Sequence, residues 1–247
     1  QRTHMDAAAY EAAVARVEAD PEGYWRDLSR RLDWMKAPTQ IKDTSFHKHP
    51  FHIRWYADGV LNVSVNCLDR HLETRGDQVA IIWENDEGDQ YDNFTYRQLH
   101  AETCRMANVL KARGVKKGDR VAIYLPMIPQ AAIAMLACAR IGAVHSVIFG
   151  GFSPDSIAGR IQDCDSRIVI TADEGLRGGR VIPLKRNVDE ALEHCPDVTD
   201  VIVIKRTRAD VPMKDGRDHY YADLKQSVSD QCDPEPMNAE DPLFILY

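Results

Sequence analysis

The sequence predicts an α/β fold, a parallel sheet covered by helices, preceded by a helical extension. Three observations predict it. Short apolar runs rich in Val and Ile recur at residues 79–83, 120–125, 144–149, 167–172 and 201–204. Between them lie segments of helical length with their own start and stop signals, the pattern of a sheet with helices on both faces. Residues 1–60 lack that alternation: they hold an Ala- and Glu-rich stretch, then prolines, histidines and aromatics. The organisation expected is therefore a helical extension and strap over residues 1–60, and an α/β subdomain over 61–247.

Taken in order, Gln1 to His4 precede Met5 and are set aside as a remnant. Residues 7–19 predict a peripheral helix. Pro21 opens a second, with Tyr24, Trp25, Leu28 and Leu32 at helical spacing. Residues 36–58 read as a surface strap that lays its aromatics on the main domain. His47, His49 and His52 are close together there, but no carboxylate or cysteine completes a metal set.

A helix over residues 67–72 should stop near Gly76. The strand 79–83 leads into a polar hairpin around residues 86–92. Thr95 with Gln98 makes a capping box for a helix to Arg113. Pro129 opens a helix that Gly142 ends. Ser153-Pro154 starts another, to about Cys164, because serine caps and proline suits the first helical position. Residues 183–194 are helical by the same reasoning. The final run, Leu243-Phe244-Ile245-Leu246-Tyr247, reads as a buried strand, so the chain is expected to be incomplete at its C-terminus.

Composition excludes several classes. A formal charge of −7 gives no general attraction for nucleic acid or an anionic membrane, so neither is expected as a partner. Six dispersed cysteines without a Cys-x-x-Cys pair disfavour a disulfide framework or a zinc ribbon, and reduced thiols point to the cytoplasm. No apolar run reaches membrane-spanning length. Lys205-Arg206-Thr207-Arg208 reads as a solvated strand edge. His145, inside an apolar strand, reads as a hydrogen-bonded structural residue. Ser146 has no Gly-x-Ser-x-Gly elbow around it.

One run carries chemistry. Glu174-Gly175-Leu176-Arg177-Gly178-Gly179-Arg180 sets two arginines around two glycines just past the strand 167–172. Arginine offers a permanent charge and a planar fork that matches phosphate oxygens. Glycine leaves room for an anion and permits unusual backbone angles. Taken alone the run reads as a solvated basic loop. Its place at the carboxyl end of a strand, where open α/β sheets bind ligands, makes it a phosphate seat. Asp173 and Glu174 either close the turn or pair with Arg177 and Arg180.

The stretches LNVSVNCLDRHLETRGDQVAIIWE, VAIYLPMIPQAAIAMLACARIGAVHSVIFGGFSPDSIAGRI, EGLRGGRVIPLKRNVDEAL and MNAEDPLFILY resemble the amino-terminal part of the AMP-forming acetyl-CoA synthetase family. The resemblance covers essentially the whole chain after its first residues. It implies the first subdomain of an adenylate-forming enzyme's large domain. It also implies a ligase that joins acetate to CoA with ATP and magnesium through acetyl-AMP.

By the same resemblance Arg177 and Arg180 hold the 3′-phosphate end of CoA, with Gly178 and Gly179 between them. Ile182 lies near the CoA nucleotide, and Phe149, Gly150 and Gly151 border its approach. Phe149 is equally a core aromatic at a strand end. Val181 and Gly178 are small departures from the family pattern. No catalytic residue and no metal ligand is expected within these residues. The phosphate loop for ATP, the acetate pocket and the catalytic lysine belong to a C-terminal remainder that would be the chain's partner. The piece alone is expected to be inactive.

Two other readings stand beside this one. A free-standing module could bind CoA or a partner through the arginine run without chemistry. A dinucleotide-dependent oxidoreductase shares the coarse fold class, but the sequence has no Gly-x-Gly-x-x-Gly.

Overall fold

A computed structural model describes residues 5–47 and 49–247, and the reading of residues 1–4 as a remnant falls outside them. The chain divides into two units, Gln1–Leu61 with Pro236–Asp241, and Asn62–Glu235 with Pro242–Tyr247.

In the first unit, α1 (Ala7–Ala19) is capped by Asp6 and buries none of its residues. Asp20 caps α2 (Pro21–Ser29), whose first position is the proline. That helix stops at Ser29, so Leu32 lies beyond it in a turn, 40% exposed. The strap contains an antiparallel hairpin of β1 (Lys42–Ser45) and β2 (His52–Trp55). Its short strands carry too few apolar residues to show an alternation in the sequence. Within it His52 Nε2 lies 2.8 Å from Asp43 Oδ1. Aromatic rings close the unit: Trp25 packs edge-on against Trp55 at 5.3 Å, and Trp34 lies 5.6 Å from Tyr56. β3 (Val60–Leu61) pairs antiparallel with Met237–Asn238.

The second unit opens with α3 (Val63–Cys67), a 3₁₀ turn over Asp69–His71, and α4 (Leu72–Arg75). The single helix expected over 67–72 is thus broken. The break falls at Leu68, whose side chain is 1% exposed and whose backbone leaves helical geometry. Next come β4 (Val79–Glu84) and β5 (Tyr91–Thr95), which form an antiparallel hairpin of their own, apart from the main sheet. α5 (Tyr96–Ala112) starts at the capping box of Thr95 and Gln98. β6 (Arg120–Tyr124) leads into α6 (Pro129–Ile141), which ends at Gly142 in a left-handed conformation at φ 71°. β7 (Val144–Val147), α7 (Pro154–Asp163) capped by Ser153, and β8 (Ile168–Ala172) follow. β9 (Gly175–Arg177) and β10 (Arg180–Ile182) make a second hairpin. Then come α8 (Leu184–Ala191), β11 (Asp200–Ile204), β12 (Asp218–Tyr220) and α9 (Tyr221–Leu224). β13 (Met237–Asn238) is the partner of β3, and β14 (Phe244–Ile245) returns to the main sheet.

That sheet has the order β12-β11-β8-β6-β7-β14, with every pairing parallel. β8 and β11 are buried at every position, as expected of strands covered on both faces. The chain steps from β6 to β7 in one direction, then crosses back to β8 and on to β11. Right-handed crossovers therefore place α6 on one face and α7 and α8 on the other. The helix contacts agree, since α5 packs on α6 and α7 on α8.

The final run is not buried: Phe244, Leu246 and Tyr247 are 53%, 77% and 54% exposed. Among the described residues of this run only Phe244 and Ile245 pair in the sheet, and they pair with β7. His145 is not a hydrogen-bonded structural histidine at its Nδ1, which is buried without a partner. Its ring lies 5.7 Å from that of Phe244, and burial pushes its pKa down.

Candidate functional site

The carboxyl ends of β6, β7 and β8 lie side by side, because β6 sits between the other two. β6 leaves toward one face and both neighbours leave toward the other. That reversal opens the crevice in which open α/β sheets hold ligands. Its walls come from two loops, one after β7 and one after β8.

The loop after β8 is the hairpin β9–β10. Arg177 and Arg180 are Cα partners, so Gly178 and Gly179 are the whole turn. Both glycines have positive φ, 54° and 72°, and a Cβ at either would meet nothing within 4 Å. Backbone conformation rather than crowding requires glycine here, as in a two-residue turn of the kind that suits hairpin twist. The consequence is that two exposed guanidinium groups leave one turn together. Arg180 has no ion pair among the described residues.

The loop after β7 meets this hairpin. Arg177 Cζ lies 4.9 Å from the centre of the Phe149 ring, a cation–π contact. Phe149 is 53% exposed and also meets Phe152 edge-on at 5.6 Å, so it is not a core residue. A Cβ at Gly151 would lie 2.7 Å from the Phe149 ring and 3.4 Å from Arg177 Nη1. Glycine at 151 therefore makes room for the arginine–aromatic pair. Gly150 has ordinary space around it, and its carbonyl accepts from the Tyr124 hydroxyl at 3.2 Å. The one proton of that hydroxyl is shared with Phe152 O at 3.1 Å, and its oxygen accepts from Asn187 at 3.2 Å. Burial pushes the Tyr124 pKa up, against the opposing hydrogen bond from Asn187. Ile182 ends β10 half-buried against the core, so only part of its side chain is free to meet a ligand.

Asp173 and Glu174 close the turn and do not pair with the arginines. Asp173 Oδ1 accepts from the amides of Glu174 and Arg206, each at 2.7 Å, and of Thr207 at 3.2 Å. Glu174 accepts from the Thr207 hydroxyl at 2.7 Å. The basic run 205–208 is thus folded around a carboxylate rather than merely solvated. Arg206 stacks over Trp83 at 5.0 Å and Lys205 over Tyr220 at 4.0 Å.

Sequence reading missed Asp86 and Tyr124. Asp86 Oδ2 accepts the Gly178 N–H at 3.0 Å across 92 residues of chain. Nothing local marks either residue, since both contacts arise from the tertiary fold. Among the described residues no group of three His, Cys, Asp or Glu side chains could hold a metal ion. None of their helices is long and apolar enough to cross a membrane.

Two arginines beside an open aromatic, at the carboxyl edge of a parallel sheet, suit a phosphorylated ligand. Residues 68–247 match the model of the AMP-binding enzyme family, and the chain belongs to that family. Residues 10–67 match the acetyl-coenzyme A synthetase N-terminus. The chain is 70% identical over 244 residues to an acetyl-coenzyme A synthetase of Caulobacter vibrioides, and the match covers 99% of this chain and 38% of that protein. It is 64% identical over 247 residues to one of Parvibaculum lavamentivorans, covering 100% of this chain and again 38% of the relative. Among solved structures, the acetoacetyl-CoA synthetase from Streptomyces lividans superposes with a TM-score of 0.84 at 26% identity, over 96% of this chain and 36% of that one. The chain thus spans about 38% of the length of the curated relatives it matches.

Proposed function

We propose that this chain is the amino-terminal part of an acetate–CoA ligase that makes acetyl-CoA from acetate, ATP and CoA through acetyl-AMP. Within it the hairpin β9–β10 seats the 3′-phosphate end of CoA. Arg177 and Arg180 supply the charge, and Gly178 and Gly179 form the turn that aims both arginines outward. Phe149, Gly150, Gly151 and Ile182 line the approach. The observation that carries this reading is the contact of Arg177 with Phe149, which joins two loops on either side of β6 into one basic and aromatic surface. The relatives' names supply the substrate, acetate.

A carboxylate is a poor electrophile, and adenylation gives it a leaving group that a thiol can displace. In this chain the residues described bind and orient the thiol substrate by its distant, charged end. Magnesium would accompany ATP, but the described residues offer no set of ligands for it. A cytoplasmic location, and a C-terminal remainder as the principal partner, belong to the same proposal. These 247 residues alone are expected to show no ATP–pyrophosphate exchange.

The test is a full-length protein carrying Arg177→Ala and Arg180→Ala together. Each exposed arginine–phosphate contact is worth about 1 kcal/mol, so the KM for CoA should rise roughly ten- to hundredfold. Acetate-dependent ATP–pyrophosphate exchange, which does not use CoA, should persist. Exchange that falls as far as the overall reaction would refute the assignment.

A further inference from the structure

The hairpin β9–β10 stands at the end of a chain of braces that begins elsewhere in the second unit. Asn85 closes the loop between β4 and β5: its Oδ1 accepts from the amides of Asp89 at 3.1 Å and Gln90 at 3.0 Å. Gly88, at φ 71°, lets that loop turn tightly, and its amide reaches Asn85 O at 3.1 Å. The same hairpin is fastened at two points to loops at the carboxyl end of the main sheet. Trp83 Nε1 donates to Met127 O at 2.8 Å, and Gln90 Oε1 accepts from Arg206 at 3.4 Å. What this fixed platform presents outward is the carboxylate of Asp86, 3.0 Å from the amide of Gly178.

We propose that Asp86 is a positioning residue for the CoA seat, a latch that pins the glycine turn and so sets where Arg177 and Arg180 point. The inference rests on reading that hairpin as the CoA seat. A turn of two glycines is the most permissive backbone the chain could place there, with no side chain of its own to restrict it. The Phe149 ring steadies Arg177 alone, so without a further anchor the turn and Arg180 would sample more directions, and binding would bear the cost of ordering them. An acceptor on the first glycine's amide removes part of that freedom. Asp86 touches no reacting atom in this scheme and acts only through Gly178.

The experiment uses the full-length protein with Asp86→Ala and Asp86→Asn. Asparagine keeps a carbonyl oxygen for the Gly178 amide, and alanine removes the acceptor. Asp86→Ala should speed amide exchange in the peptide covering residues 175–182. It should also raise the KM for CoA roughly three- to tenfold, with a much smaller change in kcat. Asp86→Asn should restore both to within about twofold of the parent. Unchanged exchange and KM in Asp86→Ala would overturn the latch. So would Asp86→Asn behaving as badly as Asp86→Ala, since charge and not the acceptor would then matter. The double arginine variant, run alongside, separates the two failures. A CoA KM unmoved by arginine loss overturns the reading of the hairpin itself. A KM moved by arginine loss but not by Asp86→Ala overturns the latch alone.

Discussion

Replacing Lys185 by methionine should destabilise the second unit more than any surface change. The lysine follows directly on the hairpin β9–β10, at the start of α8, and its side chain is wholly buried, as is that of Asp218. Its Nζ lies 2.7 Å from both oxygens of Asp189, 2.8 Å from Asp218 Oδ2 and 2.9 Å from Pro212 O. Arg217 completes the group, 2.5 Å from Asp218 and 2.6 Å from Asp189. Two cations and two carboxylates thus balance, and methionine leaves one carboxylate charge uncompensated.

Breaking a buried pair by removing one partner costs about 3–5 kcal/mol. Arg217 and the Lys214 amide, 2.8 Å from Asp218 Oδ2, remain in place, so the lower end of that range applies, about 3 kcal/mol. For a unit of this size that corresponds to a fall in Tm of roughly 6–12 °C. Urea unfolding followed by circular dichroism measures it, with an unchanged slope as the sign that only stability has moved. Adding Asp218→Asn to Lys185→Met restores the charge balance and should recover about 1 kcal/mol or more. Stability of Lys185→Met within about 0.5 kcal/mol of the parent would refute the reasoning, as would a double variant worse than the single one.

Two further outcomes follow from the same physics. Hydrogen bonds to Asp69, then to Cys104, push the His100 pKa up to about 9. A raised histidine pKa gives stability that is full below about 6.5 and lost as pH climbs through about 9; this contribution is about 3 kcal/mol at most, and a His100→Gln variant should flatten the loss in urea titrations across that window. Its partner Asp69 is opposed by burial, yet the hydrogen bonds from His100 and Arg140 hold its carboxyl below the usual range. Thr95→Ala removes the side chain that accepts from the Gln98 amide and should lower stability by about 1 kcal/mol in the same urea assay. A loss below a few tenths would show that the capping box adds little here.

The parts of the fold legible in the sequence are those set by local rules. Capping at Thr95 and Ser153, the glycine stop at 142 and the apolar runs of β6, β8 and β11 each follow from neighbouring residues. β12 was missed because Asp218-His219-Tyr220 is short and polar; it gains strand geometry from β11 beside it. The hairpin β1–β2 was missed for a similar reason. The apolar run of β14 reveals a strand but not how many neighbours it has. At the candidate site the arginine turn was visible because its residue types are unusual at that spacing. Asp86 and Tyr124 were invisible because an acceptor reaching across 92 residues leaves no trace in either local sequence. Glycine 151 was noticed, but its reason, room for the pair Arg177 and Phe149, needed the geometry.

The division of residues 236–247 between the two units has a consequence for how this chain folds. Met237 and Asn238 supply the strand that β3 needs, and Phe244 and Ile245 supply the one beside β7. The pairing of β3 with β13 and that of β7 with β14 each join residues far apart in sequence, and each carries the entropy of a very long loop. Local hairpins and helices can form as the chain emerges, but these two pairings wait until the same dozen residues arrive. A ribosome-stalled chain ending before position 236 should accordingly lack both pairings, and release of those residues should allow both to form.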